Sequence, residues 1–295
     1  MDLRHFRIFL AVCEAGTMTR AAEIVFMTQP SVSQVIAELE REYGVRLLER
    51  LNHRLYLTAA GEQLRSYASH IVNLSEQVKK ELADQNAQGS IRVGASLTIG
   101  AHLLPGIIKA YRQELPDVEI FTQVDNTSVI EKLIMDDRID LGLVEGPVYS
   151  PHIREEMLCE DDLVIICGPG HPFWGEGMIE INRLAAKPFI IREQGSGTRD
   201  IFEKIMNEAG ANWKIVGVYN NTEAIKQAVR ENLGLAVVPK ISIKEEVERG
   251  LLQTIEVSGL NLKRNFNLVY HRQKFFTLAM QTFIRTCKLL SPGFV

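Results

Sequence analysis

The chain has 295 residues, of which 46% are hydrophobic and 24% charged, with a formal net charge of −4. That length exceeds one small domain and suggests two, at ~150 residues each. No apolar run approaches the ~18–20 residues of a membrane span, and the near-neutral balance excludes a chain that is basic throughout.

The opening MDLRHFRIFLAVCEAG is interrupted by Arg4, His5, Arg7 and Glu14, so it reads as cytoplasmic rather than secreted. Within it, residues 3–15 form a helix with Leu3, Phe6, Ile8, Phe9, Leu10 and Val12 on one face, and Gly16 ends it. Next comes TMTRAAEIVFMTQPSVSQVIAELEREYG, Thr17 to Gly44, two helices joined by a tight turn. The first turns Ala21, Ala22 and Ile24 inward. The second begins near Thr28, a good N-cap, tolerates Pro30 in its first turn, and carries Val32, Val35, Ile36, Leu39 and Tyr43 as one apolar stripe. Its other side presents Gln29, Ser31, Ser33 and Gln34 at the helix N-terminus. This is the end a helix-turn-helix lays in the major groove, where Gln pairs with adenine and Ser reaches base edges or phosphates. Any two amphipathic helices with a short link share the spacing, so the flanking chain matters.

In GVRLLERLNHRLYLTAAG, residues 44–61, Leu47 and Leu48 dock on the helices. Leu55 and Leu57 alternate with Tyr56, and Asn52-His53 forms the turn of a two-stranded wing. Arg50 and Arg54 flank it and are placed for phosphates; a surface hairpin with two solvated arginines is the plain alternative. Over the first 80 residues ten basic groups face nine acidic ones. DNA affinity needs local rather than average positive charge. Thr58 then caps a helix to about Gln85 with Leu64, Tyr67, Ala68, Ile71, Leu74, Val78 and Leu82 at steps of three and four. One apolar stripe on so long a helix favours pairing with a second copy.

Asp84 to Ser90 holds no large apolar residue and marks the domain boundary. Beyond it, IRVGAS, EIFTQV, IDLGLV, LVIICG, FIIR, KIVGVY, GLAVVP and FNLVYH alternate with helical stretches at 103–114, 128–136, 198–209, 223–232, 241–249 and 275–290. This predicts an α/β domain with mainly parallel sheets in two lobes, the break near Cys167 to Pro172. Ligands of open α/β sheets sit outside the carboxyl ends of strands. Four such ends carry small polar residues: Ser96 and Thr98; Asn126 to Ser128; Gly195, Ser196 and Thr198; Asn221 and Thr222. Each suits a small anion, and each also suits a helix cap. Arg199 offers a counter-charge.

Cys13, Cys159, Cys167 and Cys287 form no CxxC pair, so buried inert thiols are expected, with no metal and no cofactor. Ser196 lacks a GxSxG setting, and His102, His152, His171 and His271 show no HExxH spacing, so no catalytic residue is expected.

AAEIVFMTQPSVSQVIAELEREYGVRLLER followed by HRLYLTAAG resembles the N-terminal signature of LysR-type transcriptional regulators, closely over about 60 residues and in pattern over the whole chain. The resemblance implies an N-terminal all-α winged helix-turn-helix over 1–58, its helix-turn-helix about 18–37. It implies a dimerising linker helix and hinge over 59–88, then an α/β effector domain over 89–295 similar to periplasmic binding proteins. Its lobes would span about 89–166 with 267–295, and about 167–266. It further implies a homodimer or homotetramer on dyad-symmetric double-stranded DNA, a small inducer between the lobes, and RNA polymerase as a partner. By position, Gln29, Pro30, Ser31, Ser33, Gln34, Arg50 and Arg54 match the family's DNA contacts. Ser96, Thr98, Ser128, Gly195, Ser196, Thr198 and Thr222 fall where its members hold inducers. Many members carry a basic residue at the position of Gln34 and Gln at that of Val35, so this recognition helix lacks its own cation. The GSGTR loop resembles that of members tied to sulfur or carbon assimilation.

Overall fold

The computed structural model describes residues 1–51, 54–83 and 89–291. It divides into two units, one comprising the chain up to Gly89 with Met135–Arg138, the other comprising Ser90–Ile134 and the chain from Ile139.

In the first unit, α1 (Leu3–Ala15) starts on the Asp2 carboxylate, which accepts from the Arg4 and His5 N–H groups, and stops at Gly16 with φ 68°. Helix α2 (Met18–Ile24) is capped by Thr17, and α3 (Gln29–Tyr43) by Thr28, whose hydroxyl accepts from the Ser31 N–H. Phe6, Phe9, Val12, Ala21, Ala22, Val32, Ile36, Leu39 and Leu47 form one core. The two alanines let the helices approach closely, because neither has more than a methyl to place between the backbones. Ile24 departs from expectation and is 47% exposed. The chain turns at Phe26 with φ 54°, and Val25 and Met27 fill the place against the core instead. Tyr43, in the last turn of α3, is also largely outside, at 41%.

Strands β1 (Leu48–Leu51) and β2 (Arg54–Leu57) pair antiparallel with Leu48 opposite Leu57. The expected Asn52-His53 turn lies outside the described residues. The Glu40 carboxylate takes the N–H groups of Leu47 and Leu48 at 2.8 and 3.3 Å, fixing where the wing leaves α3. Helix α4 (Ala59–Ala83) begins on Thr58, whose hydroxyl accepts from Gly61 N–H at 3.0 Å. Leu64, Ala68 and Val72 pack on the first core, while Ile71, Leu74 and Val78 stay 42–45% exposed. The side chain of Leu82 and the boundary stretch at 84–88 lie outside what is described.

The second unit runs β3 (Ser90–Ala95), α5 (Leu97–His102), α6 (Leu104–Glu114), β4 (Glu119–Val124), α7 (Thr127–Met135), β5 (Leu141–Glu145), β6 (Ile153–Cys167), β7 (Met178–Glu180), β8 (Lys187–Arg192), α8 (Gly197–Glu208), β9 (Trp213–Tyr219), α9 (Thr222–Arg230), β10 (Leu235–Pro239), α10 (Lys244–Glu248), β11 (Gln253–Ser258), β12 (Lys263–His271) and α11 (Leu278–Leu290). The sheet order is β4-β3-β5-β12-β6-β10-β8-β9, with β11 joining β6 to β7. Strands β4, β3 and β5 are parallel, as are β10, β8 and β9. Between these halves stand β12 and β6, each antiparallel to its neighbours. The expectation of mainly parallel sheets therefore holds within each lobe and fails at their junction.

Strand β6 crosses from lobe to lobe. Ile153 to Asp162 pair with β12, and Leu163 to Ile166 pair with β10. The change of lobe thus comes inside the strand, before the Cys167 to Pro172 turn singled out from sequence. The return comes at Lys263, which already pairs with Asp162. One core gathers Ile91, Val93, Ile107, Tyr111, Phe266 and Phe283; another gathers Leu163, Ile165, Phe189, Ile191, Phe202 and Leu235.

Candidate nucleic-acid interface and ligand cleft

The N-terminus of α3 presents Gln29 and Pro30 to solvent, with Ser31 and Ser33 half-buried and Gln34 exposed. Ser31 serves the cap, its hydroxyl 2.7 Å from that of Thr28. Gln29 Nε2 donates to Ser33 Oγ at 2.7 Å, and Gln34 Nε2 donates to Glu38 Oε1 at 2.9 Å. An open groove runs beside them, lined by Thr17, Thr19, Gln29, Ser33, Arg46 and Arg50 among others. Arg50 lies opposite Leu55 in the wing, while Arg54 lies opposite Leu51. Adjacent strand positions alternate faces, so the two arginines occupy opposite faces of the ribbon. The structure therefore brings Gln29, Ser33 and Arg50 to one groove and puts Arg54 on the outer side of the wing. Thr17, Thr19 and Arg46 join the groove unforeseen; Thr17 as an N-cap was the one local signal of them.

In the second unit, Ser96 follows β3 as the N-cap of α5 and is 1% exposed, and its hydroxyl has no hydrogen-bond partner among the described residues. Thr98, one turn on, donates to Glu145 Oε1 at 2.9 Å. Glu145 ends β5, the neighbouring strand, and its Oε2 is likewise buried and unpartnered. From β12, Arg264 Nη1 donates to Thr198 Oγ1 at 2.8 Å, Nη2 reaches Thr98 Oγ1 at 3.4 Å, and Nε donates to Asp161 Oδ2 at 2.6 Å. One fully buried guanidinium thus joins a hydroxyl of the first lobe, a hydroxyl of the second and a carboxylate of the crossover strand. Burial pushes the carboxyls of Glu145 and Asp161 above their ordinary values, against the pull of Arg264.

The lobes also meet through backbone. Ser128 N–H, at the start of α7, donates to Gly195 O at 3.2 Å, and Asn126 Nδ2 donates to Glu193 Oε1 at 3.3 Å. Gly195 has φ +83°, and a Cβ there would stand 2.8 Å from Ser128 Oγ. Gly197 lies so close to β5 that a Cβ would fall 1.5 Å from Glu145 O. Ser196 is buried as the N-cap of α8 without a side-chain cap bond. Thr222 follows Asn221, whose side chain accepts from Ala224 N–H at 2.8 Å, so at this strand end the capping alternative is the one observed. Arg199, read as the counter-charge, is engaged by Glu203 at 2.9 Å and Arg192 O at 3.2 Å. Arg264, Glu145 and Asp161 were missed because each ends or borders an apolar strand and carries no local motif.

Burial raises all four thiols, to about 12 in Cys13 and Cys287 and about 11 in Cys167, so these three are protonated at neutral pH. All four cysteines are free. Among the described residues no His/Cys/Asp/Glu group is arranged to hold a metal ion, and no helix is long and apolar enough to cross a membrane.

A winged helix-turn-helix followed by a two-lobed α/β domain, with buried hydroxyls from both lobes at their junction, is the architecture of a DNA-binding regulator with an effector-binding domain. Two family descriptions match the chain: "Bacterial regulatory helix-turn-helix protein, lysR family" over residues 3–62 and "LysR substrate binding domain" over residues 84–290. The chain belongs to the LysR family of transcriptional regulators. It is 33% identical over 287 residues to the HTH-type transcriptional regulator YeiE of Escherichia coli, covering 97% of both chains. It is 31% identical to the transcriptional activator CmpR of Synechocystis, covering 96% of this chain and 93% of that one. Full-length OxyR of Pseudomonas aeruginosa shares the fold at TM-score 0.66 and 21% identity, over 100% of this chain and 94% of that one. The Synechocystis CcmR regulatory domain, solved in complex with 2-PG, shares it at TM-score 0.64 and 24% identity, over 69% of this chain and 98% of that one. Members of this family regulate transcription, so the chain is a DNA-binding regulator and not an enzyme.

Proposed function

We propose that the chain binds operators of imperfect dyad symmetry as a dimer or a dimer of dimers, joined through the exposed Ile71–Leu74–Val78 stripe of α4. It acts in the cytoplasm at the nucleoid, within reach of RNA polymerase. Each copy lays the α3 N-terminus in a major groove, with Gln29, Pro30, Ser33 and Gln34 toward base edges, Ser31 supporting the cap, and Arg50 and Arg54 on phosphates. The observation that carries this is the single groove holding Gln29, Ser33 and Arg50. The tests are footprinting of the neighbouring promoter and a salt titration, since phosphate contacts make affinity fall steeply with salt. Absence of protection at any salt sinks it.

The inducer is a small anion held between the lobes by Ser96, Thr98, Ser128 and the Gly195–Thr198 loop. Arg264 and Arg192 supply positive charge at the cleft floor. The raised carboxyl of Glu145 lowers the opposing negative charge when it takes a proton. The N-terminus of α8 adds its backbone N–H groups. A thermal-shift screen of small inorganic and carboxylic anions tests this, because a ligand at 100 times its dissociation constant adds ~2.7 kcal/mol. The shift should vanish in Thr98→Ala.

A further inference from the structure

The recognition helix carries a built-in orientation for one of its two glutamines. Glu38, one turn after Gln34, has both carboxylate oxygens engaged: Oε1 accepts from Gln34 Nε2 at 2.9 Å, and Oε2 lies 3.3 Å from His5 Nε2. His5 is held in turn on α1 by Asp2, its Nδ1 2.8 Å from Asp2 Oδ1. Glu38 titrates below the usual carboxylate range because Gln34 and His5 hydrogen-bond to its charged form. It is therefore an acceptor at neutral pH. A side-chain amide is ambiguous when its partner can donate or accept, as the Ser33 hydroxyl can toward Gln29. Opposite a carboxylate the ambiguity is gone, and Gln34 must turn its NH2 to Glu38.

We infer that Glu38 is a positioning residue that sets Gln34 to read adenine and to reject guanine. This rests on the reading of α3 as the groove-facing helix. With one N–H spent on Glu38, Gln34 keeps its carbonyl oxygen and one N–H. That pair matches adenine, which offers an N6 amino donor and an N7 acceptor in the major groove. Guanine offers two acceptors, O6 and N7, and would need both N–H groups. Thymine offers one acceptor and a methyl group. The preference thus follows from a residue that need not touch DNA.

The test is selection from a random duplex library by the full chain, its Glu38→Ala and Glu38→Lys variants, and Gln34→Ala. The wild-type motif should contain one position per half-site with adenine about tenfold over guanine, the discrimination of a good bidentate pair. Gln34→Ala should flatten that position alone. Glu38→Ala should flatten the same position and leave the others and the melting temperature as they are. Glu38→Lys puts a donor where the acceptor was, turns the amide around, and should move the preference to guanine. A motif whose Gln34-dependent position is unchanged in Glu38→Ala overturns the positioning role, as does guanine or thymine there in the wild type. Failure of the wild-type chain to enrich any motif overturns the groove-facing reading itself, and this inference with it.

Discussion

The N–H of Ser128 donates to the carbonyl of Gly195 across the cleft at 3.2 Å, so the first turn of α7 is closed by the loop before α8. The contact needs glycine twice over. Its φ is +83°, and a Cβ would press on the Ser128 side chain at 2.8–2.9 Å. Gly195→Ala should therefore part the lobes and cost about 1–2 kcal/mol for the left-handed backbone alone. Thermal denaturation of the full chain should show a lower midpoint, and saturation with a cleft ligand should shift it less than in the wild type. An unchanged midpoint would mean that the loop relaxes freely.

Arg264 holds two buried carboxyls, and removing it strands both. Arg264→Met should destabilise by about 3–5 kcal/mol, the cost of leaving a buried charge without its partner. Urea unfolding followed by circular dichroism measures this. A loss under 1 kcal/mol would show that Glu145 and Asp161 already sit there neutral.

The pH dependence has two opposite signs. Glu145 and Asp161 hold protons more tightly folded than unfolded, because burial raises them. Their contribution is present at low pH and is lost as pH rises from the ordinary carboxylate range, about 4, through their raised folded values. Asp140 goes the other way. Burial alone would raise it, but hydrogen bonds from Arg92 and the charge of Lys274 hold it below the usual range. Its contribution is present above about 4 and is lost as pH falls below that. Glu145→Gln keeps an acceptor for Thr98 and cannot ionise, so its unfolding midpoint should decline less than the wild type's between pH 5 and pH 8. Parallel curves for the two proteins would exclude Glu145 as the titrating group.

The exposed part of α4 sets the assembly. Leu74→Glu puts a charge in the Ile71–Val78 stripe without touching the Leu64–Ala68–Val72 side that packs on the first core. Sedimentation equilibrium should show weaker self-association by at least tenfold, with the helical signal retained. Unchanged association would place the interface elsewhere.

On the DNA face, Arg54→Ala should weaken binding about equally on all sequences and lower the salt slope by ~1. Gln29→Ala should cost about 1–3 kcal/mol on the operator and relax one position. Fluorescence anisotropy on operator and scrambled duplexes separates the two. Phe26 is 95% exposed at φ 54°. Phe26→Asn, which tolerates that backbone better, should raise the melting temperature by several degrees.

Local pattern determined much of this protein. The periodicities of three and four residues around Ala21, Ile36 and Ala68, the caps at Thr28 and Thr58 and the stops at Gly16 and Gly44 fix helices through contacts a few residues away. The apolar runs from Ile91 to His271 likewise marked eight of the strands, and the polar strand ends pointed to the cleft. What had no local signature was whatever depends on which distant strands become neighbours. The first half of β6 reads as polar because Ile153 and Cys159, six residues apart, are its only buried positions before Leu163. Helix α5 is six residues long, too short to show a period. Arg264, Asp161, Glu145, Thr98 and Thr198 span more than 160 positions and meet only because β12 and β6 pair antiparallel at the crossing between lobes. A buried charge is stable only beside its partners, and the sheet order, not the neighbouring sequence, supplies them.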